Sequence, residues 1–177
     1  LLPRMDYSTG ISPEFRTLVI IPAMLTSEKE IEHLAEAIEV YFLANMDEHL
    51  HFGLLTDFTD AATETTDRDS YLLQVVKQRI EDLNAKYKRE SSDIFFLYHR
   101  PRKWNAHEKK WMGYERKRGK LTELNTLLRE GQDSSFMLIV GKQDVFPMIR
   151  YIITIDSDTQ LPRDSARSIV ATMAHSL

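Results

Sequence analysis

An α/β fold with a mostly parallel central sheet and helices on both faces is the class this sequence predicts, and three observations predict it. Short apolar runs alternate along the chain with amphipathic stretches of helical period, the pattern of βαβ units. The first run, Thr17-Leu18-Val19-Ile20-Ile21, is continuously apolar, as a strand buried on both faces is. The run Tyr151 to Ile155 leads directly into Asp156-Ser157-Asp158, which puts two carboxylates at the strand's carboxyl end, the edge where open α/β sheets bind ligands.

Residues 1–16 mix Pro, Gly, Ser and Asp without periodicity and read as a poorly ordered lead-in or linker, leaving 17–177 as one domain. Pro22 ends the first strand. Ser27 and Glu30 form the two halves of a capping box, and Ile31, Leu34, Ala35, Ile38 and Phe42 mark the buried face of the helix that follows. The second strand, His51 to Thr56, gives way to a polar turn carrying Asp57 and Asp60. A helix from Thr66 to Tyr87 buries Leu72, Leu73, Val76, Ile80 and Leu83, and Ile94 to Tyr98 forms the third strand. In the basic segment His99 to Lys120, Gly119 suits a tight turn and Lys120 leads into a helix spanning Leu121 to Arg129. Phe136 to Val140 is a further short candidate strand. Pro162 suits a first helical turn, with Ala166, Ile169, Val170 and Met173 forming the inward face of a last helix.

Composition excludes several classes of function. The 177 residues carry a net charge of −4, which argues against general nucleic-acid binding, and 42% hydrophobic with 28% charged residues is ordinary for a globular domain. With no Cys there is neither a disulfide framework nor a thiolate site, in keeping with a cytoplasmic setting. No apolar run approaches the roughly 20 residues that span a bilayer, and no signal peptide opens the chain. The segment itself is expected to be soluble; the absence of an initiator Met and the helical pattern still running at Leu177 leave open that it is cut from a larger membrane protein.

The Asp pair offers hard oxygen ligands with no His or Cys nearby, which suits Mg²⁺ or Mn²⁺ arriving with phosphate oxygens; the plainer reading is a solvated Asp-Ser-Thr turn. The basic segment reads as an anion-binding loop or as a solvated cationic loop. Trp104, Trp111 and Tyr114 interleave with its charges, which admits single-stranded nucleic acid as a rival, although no RNA-binding sheet motif supports it. His49, His51, His99 and His107 lie on different elements without zinc-ligand spacing and read as hydrogen-bonded or exposed.

Four segments, Ile20 to Ser27, His51 to Asp60, Trp111 to Asn125 and Tyr151 to Arg163, resemble the glycosyltransferase domain of cyclic β-1,2-glucan synthases, a GT-A-like, family 84 type of transferase. The likeness covers nearly the whole chain from Leu18. It implies a GT-A-like nucleotide-sugar-binding domain, UDP-glucose as donor, a divalent cation on the diphosphate, and a growing β-1,2-glucan chain as acceptor. It also implies a large parent at the cytoplasmic face of the bacterial inner membrane. Carried over residue by residue, Asp57 and less closely Asp60 match the carboxylate that meets the nucleotide. Lys120 and Asn125 match the Gly-Lys…Asn element by the donor, and Asp156 and Asp158 match the metal-holding pair. The general base and the acceptor-side motif of such transferases do not appear after Asp158. The resemblance therefore implies a truncated domain holding the donor half only, inactive by itself. Two alternatives stand beside it: a non-catalytic nucleotide-sugar-binding or scaffolding segment of the parent, and, more remotely, an Asp-based phosphatase, whose pattern Thr159 and the late position of the pair fit poorly.

Overall fold

The computed structural model describes residues 6, 8–132, 135–159 and 161–175. Its elements in chain order are β1 (Thr17–Leu25), α1 (Glu28–Ala44), β2 (Leu50–Phe58), α2 (Asp69–Lys86), β3 (Phe95–Arg100), β4 (Lys103–Asn105), β5 (Lys110–Met112), α3 (Arg116–Glu130), β6 (Leu138–Val140), β7 (Tyr151–Thr154) and α4 (Ser165–His175). Two short 3₁₀ turns, Pro13–Phe15 and Gln143–Met148, are added to these.

The main sheet has the order β6-β3-β2-β1-β7, with β3, β2, β1 and β7 parallel and β6 antiparallel on β3. The chain winds outward from β1 to β3 and then returns to the other side of β1 as β7. That reversal is a topological switch point, and the crevice between the carboxyl ends of β1 and β7 is where such sheets receive ligands. The continuous apolar reading of β1 is explained by its two faces. Val19 and Ile21 join the core under α1, α2 and α4, while Leu18 and Ile20 join the core under α3 and the second 3₁₀ turn. The architecture is thus three layers, helix on sheet on helix. Among the described residues no helix is long and apolar enough to cross a membrane.

Several boundaries differ from the sequence reading, each for a physical reason. Pro22 lies inside β1 instead of ending it. Two residues earlier, Ile20 offers its carbonyl to Ile155 N on the β7 side (2.9 Å), and the β7 pairing stops there, so Pro22 occupies an open edge where a missing N–H costs nothing. Asp57 belongs to β2, which runs to Phe58, because two buried cations make a strand position tenable for it. The basic segment, read as one loop, folds into the β4–β5 hairpin with Trp104 opposite Trp111 (ring centroids 5.9 Å), and Ala61 pairs with Trp111 through two 2.9 Å backbone bonds. Helix α3 starts at Arg116, so Gly119 and Lys120 lie inside it and not in a turn. Gly119 is helical and still cannot be replaced by a larger residue, since a Cβ there would stand 2.0 Å from the Tyr114 carbonyl oxygen. The candidate strand near Phe136 is the three-residue β6. The lead-in is packed from Ile11 onward: Ile11 is buried, its N–H donates to Asp47 (2.9 Å), and Phe15 stacks on Tyr151. The Ser27 cap is present, accepting from Glu30 N at 3.1 Å.

Candidate functional site

The first turn of α3 crosses the carboxyl edge of the sheet and plants a lysine on each side of the switch-point crevice. Lys120 reaches the β1–β2 side, donating to Ala23 O (3.0 Å) and pairing with Asp57 (3.1 Å). Lys117, one turn earlier, reaches the β7 side and pairs with Asp156 at 2.6 Å. The three-residue spacing puts both on one helix face. Their ammonium groups feel each other, since Lys117 is among the charges that lower the pKa of Lys120.

Beneath this turn lies a buried ion cluster. Asp57 accepts from Arg100 Nε at 2.7 Å and from a terminal guanidinium nitrogen at 3.1 Å, with both side chains only 2% exposed. Arg100 also pairs with Glu123 (3.2 Å) and donates to the carbonyls of Tyr114 (3.0 Å) and Arg116 (3.2 Å). Those carbonyls bracket Glu115 and Arg116, both at positive φ (50° and 47°), a conformation costly for residues with a Cβ. Arg100 therefore clasps the strained entry to α3. Burial lowers the pKa of Lys120, with Asp57 opposing. For Arg100 burial acts downward as well, but the hydrogen bonds and charges of Asp57 and Glu123 outweigh it and raise the guanidinium. Gly113 completes the packing: a Cβ there would lie 2.6 Å from Asp57 Oδ2. A second, more exposed network ties the hairpin to α3. Asp60 pairs with Lys110 (3.0 Å) and Arg116 (3.2 Å), and Glu108 pairs with the same two cations. Burial raises Asp60, yet those two cations together hold its carboxyl below the ordinary range.

Asp156 and Asp158 follow β7 in a turn closed by Thr159 N on Asp156 O (3.0 Å), and both are exposed. Their neighbours lie on opposite faces of the sheet. Asp156 meets Lys117 of α3, while Asp158 acts on Tyr41 of α1, whose phenol is raised first by burial and then by that carboxylate. The Tyr41 hydroxyl donates to Thr159 O and so pins the turn to α1. Among the described residues no three or more acidic or histidine side chains gather into a metal-holding group. Two exposed carboxylates are a partial donor set, which fits a hard divalent cation that brings phosphate and water oxygens of its own, and a cation, the Lys117 ammonium, already sits against one of them. Asn125 is exposed on α3 and lines a cavity of about 550 Å³ with Leu121, Arg129 and Thr154; Asp156 lines a separate one of about 380 Å³ between β7 and α4. The structure thus joins Asp57, Lys120 and, through Lys117, Asp156 along one edge, sets Asp60 beside them, and leaves Asn125 outside the ion cluster.

Arg100, Lys117, Tyr41 and Gly113 are the residues sequence reading missed. Arg100 closes an apolar strand and aligns with Asp57 in the β2–β3 register, a pairing visible only once the sheet order is known. Lys117 is hidden among the other cations of the basic segment. The histidines are placed as read: His51 is buried between Arg16 (2.8 Å) and Asp93 O (2.8 Å), His99 is buried against Thr56 (2.8 Å), and His107 is exposed.

No protein-family model matches the chain. Over 170 residues it is 39% identical to the cyclic beta-(1,2)-glucan synthase NdvB of Rhizobium meliloti (strain 1021). The two are related. The match covers 96% of this chain and 6% of NdvB, so the chain corresponds to a small part of that protein's length.

Proposed function

We propose that this chain is the donor-binding part of a GT-A-like glucosyltransferase domain that holds UDP-glucose for β-1,2-glucan synthesis within a larger membrane-associated parent. The observation that carries the reading is the meeting, at one switch-point crevice, of an exposed Asp-x-Asp turn with two lysines from a single helical turn. Its support from outside the chain is the relation to a glucan synthase. Asp156 and Asp158 would hold Mg²⁺ or Mn²⁺, which when bound supplies positive charge against the diphosphate. Lys120 is fixed by Asp57 and Ala23 O, so it offers a preorganised charge to the phosphates without reorganising. Asp57 acts through Lys120, and Asp60 acts by holding Arg116 at the mouth of the same edge. The general base and the contacts to the growing glucan are expected on other parts of the parent. Glucose transfer by residues 1–177 alone is accordingly expected to be slight or absent.

Calorimetric titration of UDP with and without Mn²⁺ tests the reading. UDP should bind only with the metal, and Asp156→Asn should abolish that dependence. Metal-independent binding, or binding indifferent to Asp156→Asn, would refute it; sustained glucan synthesis from radiolabelled UDP-glucose would refute the division of the site.

A further inference from the structure

Lys117 helps to mark the donor edge, but the donor-site reading gives it no task of its own toward metal or nucleotide. It is half exposed, its side chain 51% accessible, and it spends its charge on Asp156, the first carboxylate of the candidate metal turn. Lys120 is by contrast locked, 5% exposed and held from two sides. At this edge Arg100, Lys117 and Lys120 are each paired with a carboxylate, drawn from Asp57, Glu123 and Asp156. The adjoining network of Lys110 and Arg116 with Asp60 and Glu108 is balanced and adds no net charge. Without a metal, the Lys117 charge is matched by Asp156 and is not offered to a diphosphate. A divalent cation on Asp156 would release it.

We infer that Lys117 is an internal counter-cation that holds Asp156 in the metal-free protein and, displaced when a divalent cation takes that carboxylate, becomes a contact for the diphosphate. The inference rests on the donor-site reading and deepens it by adding a residue and an order of events. Displacement is easy because an exposed ion pair is weakly held. Once displaced, the ammonium lies within one helical turn of Lys120, at the positive end of α3, and the repulsion between the two lysines favours an anion bridging them. Lys117 thus has two opposing effects: it competes with the metal and assists the nucleotide.

The opposition makes the test specific. Mn²⁺ binding to the whole chain without nucleotide is measured by the loss of the free-ion electron paramagnetic resonance signal, and UDP binding at saturating Mn²⁺ by calorimetry, for the parent chain, Lys117→Gln, Lys117→Arg and Asp156→Asn. Removing the competitor and its charge should tighten Mn²⁺ about three- to tenfold in Lys117→Gln. The same variant should bind UDP about three- to tenfold more weakly, and Lys117→Arg should resemble the parent in both. If Asp156→Asn abolishes Mn²⁺ binding but Lys117→Gln leaves Mn²⁺ affinity unchanged or lower, the counter-cation role is wrong while the metal site stands. If Lys117→Gln tightens Mn²⁺ and UDP equally, the hand-over to diphosphate is wrong. If Mn²⁺ binding is indifferent to Asp156→Asn, the metal reading and this inference fail together.

Discussion

Replacing Asp57 by Asn is the most demanding probe of the buried cluster, because it changes one charge and almost no volume. Asp57 engages two guanidinium nitrogens of Arg100 and the ammonium of Lys120, and all three side chains are 5% exposed or less. The neutral amide of Asp57→Asn could accept through its single oxygen only, leaving Arg100 with Glu123 as its carboxylate partner and Lys120 with the Ala23 carbonyl. Breaking a buried pair from one side costs about 3–5 kcal/mol, since the stranded charge retains its desolvation penalty. For a chain of this size that is a midpoint lower by roughly 6–20 °C. Urea denaturation followed by circular dichroism, with slope and midpoint both fitted, measures it. Asp60→Asn is the control: its partners are a third to a half exposed, so the change should stay within about 1 kcal/mol. Adding Lys120→Met to Asp57→Asn removes one stranded charge and should restore about 1–2 kcal/mol. If Asp57→Asn costs no more than Asp60→Asn, or Lys120→Met worsens it additively, Asp57 is not holding two desolvated cations and the account of α3 placement collapses with it.

Acid should weaken the fold through two histidines. Burial, the leading cause for each, lowers His51 to about 3 and His99 to about 4. Both folded-state values lie below the unfolded 6.5, so the unfolded chain binds the extra protons; stability is full above pH 6.5 and falls as pH drops from there toward 4. At pH 5 the loss should be about 2 kcal/mol per histidine, and His99→Gln should cut the slope of stability against pH by about half in that window; a slope unchanged by the substitution refutes the assignment. Gly119→Ala would set a Cβ 2.0 Å from a backbone oxygen, a clash no rotamer relieves, so a net loss of about 1–3 kcal/mol is expected despite the better helix propensity of Ala. Urea midpoints decide it, and a stabilised variant would show that α3 starts elsewhere.

The parts of the fold legible in the sequence are those governed by period and capping. The apolar runs of β1, β2, β3 and β7, the Ser27 cap and the helical stripes of α1, α2 and α4 declare themselves locally, because burial of each depends on its own spacing. The illegible parts depend on partners far apart in the chain. Pro22 ends a strand in any local reading and is admitted to β1 only because β7, far later in the chain, stops short of it. Gly119 and Lys120 look like a turn opening a helix, and only Arg100, clasping the Tyr114 and Arg116 carbonyls, lets the helix begin earlier through two left-handed residues.

The same division runs through the site. Residues that would touch a ligand are chemically conspicuous in the sequence: an exposed Asp pair after a strand, and a lysine at a helix that the fold then buries. Residues that place them are ordinary in sequence and unusual only in position. Tyr41 is one aromatic on a helix until its hydroxyl meets Thr159 O, and Arg100 is one more cation beside a basic segment until it closes on Asp57. Lys117 falls between the classes, exposed like a ligand contact but engaged like a support. Its 2.6 Å pair with Asp156 is a direct contact between α3 and the Asp-x-Asp turn, whereas the buried cluster ties α3 to β2 and β3. A cation that took Asp156, as proposed above, would therefore do more than fill a site: it would cut that link between the turn and the helix that carries the lysines. On that reading, binding at this edge is coupled to the geometry of α3's first turn through an exposed ion pair.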